Sequence, residues 1–199
     1  QSTQMIVGAT NETDLKIIKV ADHFYQNFNL KRVYYSGYVP MLEDTRLPSV
    51  HSQVPILREN RLYQADWLMW FYGFKADEIL DRSNPFLDLE VDPKLAWALR
   101  NREKFPVNIN TAPRQMILRI PGVGTRSVTK ILMARRFQKL NLEHLKKMGV
   151  ATNRAKYFIE FETQNIFNKY IDEQHFRKII LTGMKSKFQN PFSEQLTLF

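Results

Sequence analysis

The residues best suited to chemistry lie between positions 120 and 136. Ile120-Pro121-Gly122-Val123-Gly124 separates two stretches of helical pattern, and Thr125-Arg126-Ser127-Val128-Thr129-Lys130 opens the second. Proline at 121 cannot continue a helix, and glycines at 122 and 124 permit the backbone angles of a tight reversal. A helix starting directly after such a turn presents unbonded N–H groups at the positive end of its dipole, and bare glycines let an anion approach. The chemistry implied is capture of a phosphate oxygen by main-chain amides, with Gly122, Val123, Gly124 and Thr125 as the expected cradle. Arg126 and Lys130, four residues apart on one helical face, are the expected cationic partners, and Arg135 and Arg136 extend the charge. The additional glycine and the Lys-Ser/Thr pair of a nucleotide-binding P-loop are missing. The competing reading is a hairpin that only packs.

Positioning these groups requires two short helices back to back. Asn110 or Thr111 suits an N-cap, Pro113 suits the first turn, and Met116, Ile117 and Ile120 supply an apolar side. Val128, Ile131 and Leu132 of the second helix are expected to pack back on them. A second, degenerate hairpin follows at Leu145-Lys146-Lys147-Met148-Gly149-Val150-Ala151, continued by Arg154-Ala155-Lys156. Ala151 stands where the second glycine would be. Its side chain narrows the approach, so this copy is expected to be mainly structural, with Lys146, Lys147, Arg154 and Lys156 adding diffuse attraction.

Charge supports a polyanionic partner. Residues 101–160 carry 13 Lys and Arg against 3 Asp and Glu, whereas residues 1–100 carry 11 against 13, so nearly all of the net +9 sits in one block. Such a field attracts phosphates chiefly by releasing their counterions. A content of 44% hydrophobic and 13% aromatic residues excludes a wholly unstructured chain. No apolar run approaches the length of a membrane span and no signal-peptide pattern is present, so a cytoplasmic protein without a membrane partner is expected. The chain has no cysteine, which excludes disulfides and thiolate metal sites. The four histidines lack metal-ligand spacing. The chain opens on Gln1 rather than Met, which points to a piece of a longer protein.

The first hundred residues read differently. Residues 4–9 are strand-like; Thr13 or Asp14 can cap a helix with Leu15, Ile18, Val20, Phe24 and Phe28 on its apolar face; and 32–39 is strand-like again. This is a βα unit of a parallel sheet, and two strands alone do not make a stable one. Residues 40–57, with three prolines, are expected to be an irregular loop, and 59–73 a helix carrying Leu62, Trp67, Leu68, Trp70 and Phe71. That aromatic cluster is expected in the core rather than as a stacking platform for bases. The six acids of 77–92 read as solvated surface, and Pro93 opens a helix through Arg100.

Residues 105–160, with the lead-in Asn108-Ile109-Asn110-Thr111-Ala112 and the Pro-Gly-Val-Gly turn, resemble the helix-hairpin-helix family in the tandem form of bacterial competence DNA receptors. The resemblance implies binding of the DNA sugar-phosphate backbone without base reading. Helix-hairpin-helix glycosylases pair the hairpin with a catalytic Asp downstream, but no Asp occurs between Asp92 and Asp172. At the lyase position stands Arg126, whose guanidinium stays protonated and forms no Schiff base.

A further resemblance runs from about residue 4 to 160. Met5–Ala9, the segment Lys31–Pro40, the run Arg61-Leu-Tyr-Gln-Ala-Asp-Trp67 and Asp92-Pro-Lys-Leu-Ala-Trp-Ala-Leu99 look like the C-terminal half of a radical S-adenosylmethionine family of DNA modification or repair proteins. It implies an α+β, mostly helical chain: remnant βα units of a partial (β/α) barrel in 1–100, a tandem helix-hairpin-helix domain in 101–160, and a C-terminal extension in 161–199. It also implies a 4Fe-4S cluster and S-adenosylmethionine in the full-length parent, held by a Cys-x3-Cys-x2-Cys motif. This chain has no cysteine, so it is expected to carry no cofactor and to be catalytically inert. The alternatives are a stand-alone DNA-binding module and a scaffold. The terminal Gln195-Leu196-Thr197-Leu198-Phe199 resembles the peptide by which bacterial repair proteins dock on the DNA sliding clamp, with Leu196, Leu198 and Phe199 entering an apolar pocket and Gln195 orienting them.

Overall fold

A computed structural model describes residues 1–41, 43–161 and 173–185. The chain is α+β and about half helical, with a few short strands among the described residues, and it divides into two compact units, Gln1–Trp97 and Ala98–Phe199.

The first unit begins with strand β1 (Ser2–Val7), helix α1 (Asp14–Phe28) and strand β2 (Arg32–Gly37). The strands pair in parallel, Ser2 opposite Arg32 through Val7 opposite Gly37. β1 starts two residues earlier than expected and stops at Val7, because Gly8 turns the chain with φ +85°. One sheet face, with Val7, Val33 and Tyr35, is buried, while Ile6 and Tyr34 on the other are exposed. Thr13 caps α1 by accepting a hydrogen bond from the Lys16 N–H. The buried stripe of α1 is Asp14, Ile17, Ile18 and Ala21; of the expected apolar face Ile18 is buried, whereas Val20 and Phe28 face outward. Its phase follows Asp14, whose buried carboxylate accepts from Arg58 Nε at 2.6 Å and from the Leu87 N–H at 2.8 Å.

Helix α2 (Ile56–Tyr72) starts after Pro55 and ends at Gly73, which takes φ +67°. It buries Leu62, Ala65, Asp66 and Leu68, and together with α1 it fixes the outer edge of β2. The Val33 N–H donates to Tyr25 Oη, the Tyr35 N–H to Tyr63 Oη, and the Gly37 N–H to a Glu59 carboxylate oxygen. The expectation that the α2 aromatics pack in the core fails at three of them: Trp67, Trp70 and Phe71 are 55, 47 and 58% exposed. Each makes edge or tilted ring contacts, Trp70 with Tyr25 as well as Phe71. Helix α3 (Ala76–Ile79) and the start of helix α4 (Pro93–Arg100) complete the unit, with Trp97 edge-on to Phe74. The described strands form no barrel; the sheet here has two strands.

The second unit holds strand β3 (Val107–Asn108), helices α5 (Arg114–Arg119), α6 (Thr125–Ala134), α7 (Leu142–Lys147) and α8 (Thr152–Ala155), and strand β4 (Ile159–Glu160). β3 and β4 pair in parallel, Val107 opposite Ile159, which brings the two ends of the four-helix segment together. Ile109, Ile117, Ile120, Val128, Ile131, Leu145 and Ala155 are fully buried and form its core. Helix α9 (Glu173–Lys185) lies in the stretch read as an extension and packs Phe176 against Tyr157 and Phe158.

Candidate nucleic-acid interface

The lead-in to the first hairpin is built by asparagines. Asn108 Oδ1 accepts from the Asn110 N–H at 2.9 Å, closing a short turn, and Ile109 between them drops into the core. Asn110 does not cap α5. Its side chain pairs with both backbone groups of Leu140, accepting from N–H at 2.8 Å and donating to C=O at 3.2 Å. Pro113, expected inside the first turn, is itself the N-cap, and no side chain caps this end.

Beyond α5 the turn runs through the predicted cradle, and its members separate into two groups. Val123 is buried, and its N–H donates to the Ile120 carbonyl at 3.2 Å. Gly122 takes φ +83°, and its bare side faces the second hairpin rather than an open approach. The Ala151 N–H donates to the Gly122 carbonyl at 2.9 Å, and a Cβ on Gly122 would lie 2.7 Å from the Ala151 oxygen. Gly122 therefore joins the two hairpins, and Val123 closes the turn of the first. Gly149, in the matching place of the second hairpin, repeats the left-handed turn at φ +85°, and Ser127 Oγ donates to the preceding Met148 carbonyl at 3.3 Å.

Gly124 and Thr125, both partly exposed, start the second helix. Gly124 is the N-cap of α6 at φ −91° and ψ 164°, and no side chain caps the helix. The first intrahelical bond is from the Val128 N–H to the Gly124 carbonyl, so the first-turn amides have no acceptor within α6. They gather the positive end of a ten-residue helix beside a residue without a side chain. Arg126 and Lys130 are exposed on that helix, and neither makes an ion pair among the described residues. Arg135 differs. Its Nη1 donates to the Ala112 carbonyl at 2.7 Å and to the Ile109 carbonyl at 3.3 Å, so it ties the end of α6 to the lead-in. The second hairpin offers less: the Ala151 N–H, which corresponds to that of Gly124, is already bonded to Gly122.

The first unit holds two features that the sequence reading did not single out. A cleft of about 580 Å³ is lined by Arg32, Leu57, Asn60, Arg61, Tyr63, Gln64 and the exposed Trp67. Behind it, Asp66 Oδ1 accepts from Tyr25 at 2.7 Å and from Tyr35 at 3.2 Å. Burial pushes the Asp66 carboxyl above the ordinary aspartate value, although both tyrosines oppose the shift. Burial, reinforced by Asp66, pushes Tyr25 up to about 12. The spacing of Tyr25, Tyr35 and Asp66 in sequence carries no signal for this cluster.

No group of three His, Asp or Glu among the described residues could hold a metal, and no described helix is long and apolar enough to cross a membrane. Gln195, Leu196, Leu198 and Phe199 lie outside the described residues. No family model, curated protein or solved structure matches this chain.

Proposed function

We propose that the chain binds DNA by its sugar-phosphate backbone, without sequence preference, at the N-terminus of α6. The observation that carries this reading is the uncapped first turn of α6, flanked by Gly124 and by Arg126 and Lys130, which make no ion pair among the described residues, within a block of 13 cations against 3 carboxylates. Gly124, Thr125, Arg126 and Lys130 form the contact. Gly122, Val123 and Arg135 act behind it by fixing the turn.

The molecule so described is the DNA-engaging part of a radical S-adenosylmethionine DNA repair or modification protein. What supports this is an asymmetry in the first unit. Side chains of α1 and α2 close the outer edge of β2, whereas β1 has no ladder partner on its other side among the described residues and no charged side chain within residues 1–10. Native proteins guard a permanent edge with charge or proline, so an unguarded edge suits a strand that continues a larger sheet. Without cysteine the residues of this chain do not fit the cluster, so no chemical step is assigned to it. A coding sequence upstream of Gln1 with a Cys-x3-Cys-x2-Cys motif supports this parentage, and a start codon directly before Gln1 refutes it. The tail Gln195–Phe199 is proposed to dock on the bacterial sliding clamp; loss of co-elution with purified clamp on deleting 195–199 is the expected result.

The binding site is tested by the double variant Arg126→Ala/Lys130→Ala in a salt titration with duplex DNA. Binding should weaken equally on unrelated sequences, and the slope of log K against log salt should fall by about 1.8, for two phosphate contacts. An unchanged affinity and slope refutes the placement.

A further inference from the structure

The exposed stripe of α6 continues past its two cations. Arg126, Lys130, Met133 and Phe137 recur at intervals of four, three and four residues, so they follow one line along the helix and onto the turn that ends it. Met133 is 61% exposed and Phe137 88% exposed. A phenyl ring left in water forgoes the burial that normally places it inside.

The turn that presents Phe137 is clamped at both ends. Arg135 on one side is bonded to the Ile109 and Ala112 carbonyls, and Leu140 on the other is held by the Asn110 side chain. Between them the Phe137 N–H donates to the Ala134 carbonyl at 3.1 Å. The backbone that carries the ring is thus held on both sides, which lowers the ordering cost of stacking on it. Its setting is cationic: Lys130, Arg136 and Lys139 surround it in sequence, and no Asp or Glu occurs between Glu103 and Glu143. That rim complements a strand of phosphates. The ten residues of α6 span about 15 Å, roughly four to five steps along a nucleic-acid strand.

We infer that Phe137, with Met133 beside it, is a stacking platform for an unstacked base of the strand whose phosphate sits at the N-terminus of α6. This rests on the phosphate-binding reading above and adds a preference: DNA with an exposed base face is held more tightly than an intact duplex, whose base faces are already covered. The exposed face has two sources, an unpaired base within a duplex and a plain single strand.

The test uses the full chain with three labelled DNAs of one sequence: an intact duplex, a duplex with one unpaired 2-aminopurine, and the single strand carrying that base. Binding is followed by anisotropy and by 2-aminopurine emission, for wild type, Phe137→Ala and Phe137→Trp. Wild type should bind the defect-containing duplex roughly tenfold more tightly than the intact one and quench its 2-aminopurine. Phe137→Ala should lose that preference and the quenching while keeping its intact-duplex affinity and salt slope, and Phe137→Trp should restore both. Greater tightening on the bulge than on the single strand makes the duplex defect the source; the reverse makes it the single strand. If wild type and Phe137→Ala show the same ratio between the DNAs, the platform is refuted and the phosphate site stands. If wild type binds none of them, both readings fall.

Discussion

The carbonyl oxygen of Ala151 occupies the space that a side chain on Gly122 would need. An ideal Cβ there would sit 2.7 Å from it, and the Ala151 N–H returns a 2.9 Å hydrogen bond to the Gly122 carbonyl. The two hairpins thus meet glycine to alanine, and Gly124 is the N-cap of α6.

This divides the two glycines experimentally. Gly122→Ala should lower unfolding stability by about 2 kcal/mol or more, from the left-handed backbone and the contact with Ala151. Gly124→Ala, at φ −91°, should change stability by less than about 1 kcal/mol yet weaken DNA binding. Denaturant melts beside anisotropy titrations check both, and a stable Gly122→Ala variant contradicts the packing role.

Arg135 should behave as part of the scaffold. Arg135→Ala removes a charge-assisted donor to two carbonyls and should cost about 1.5–3 kcal/mol of stability. Its salt slope for DNA should stay near that of wild type. A slope lowered by about one phosphate, with stability intact, would instead place Arg135 on the DNA.

The Asp14–Arg58 pair, at 2.6 Å with Asp14 1% exposed, links the start of α1 to α2. Removing either partner leaves a charge without its complement, and each single alanine variant should cost about 3–5 kcal/mol. Asp14→Ala/Arg58→Ala should cost clearly less than the sum, as a double-mutant cycle by urea melts would show. Strict additivity argues against coupling.

Asp66 gives a pH dependence of known sign. Its carboxyl titrates higher in the folded chain than the ordinary 3.8, mainly because it is buried, so the native state holds the proton over a window above that value. The stability it contributes is fully present below 3.8 and is lost as pH rises through the raised value. Asp66→Asn keeps an acceptor for Tyr25 and Tyr35 and removes the titration. The variant should therefore gain stability relative to wild type as pH rises through that window to neutrality. A difference that stays flat or reverses, measured by melts across pH, refutes the shift.

Much of the backbone was legible in local sequence. Pro121 and Gly122 mark the hairpin and Thr13 the start of α1, the βα unit followed from short apolar runs, and α2, expected over 59–73, runs from Ile56 to Tyr72. These signals work because dihedral preferences and capping act within a few residues. Helix phase was less legible: the stripe of α1 was displaced by Asp14, whose partners Arg58 and Leu87 lie 44 and 73 residues away. Trp67, Trp70 and Phe71 read as core because of their type, but α2 turns other residues to β2.

The candidate site shows the same division. The sequence by itself determined that a tight turn precedes a helix bearing Arg126 and Lys130 in a strongly basic block, since glycine, proline and charge act locally or sum over the chain. Only the tertiary structure decided which of its groups are available. Gly122 is closed by Ala151, Val123 by the core and Arg135 by Ile109 and Ala112, while Arg126, Lys130 and Phe137 are exposed. A hydrogen-bonding group serves a ligand only when no part of its own fold reaches it first, and that depends on residues some 20 to 30 positions away.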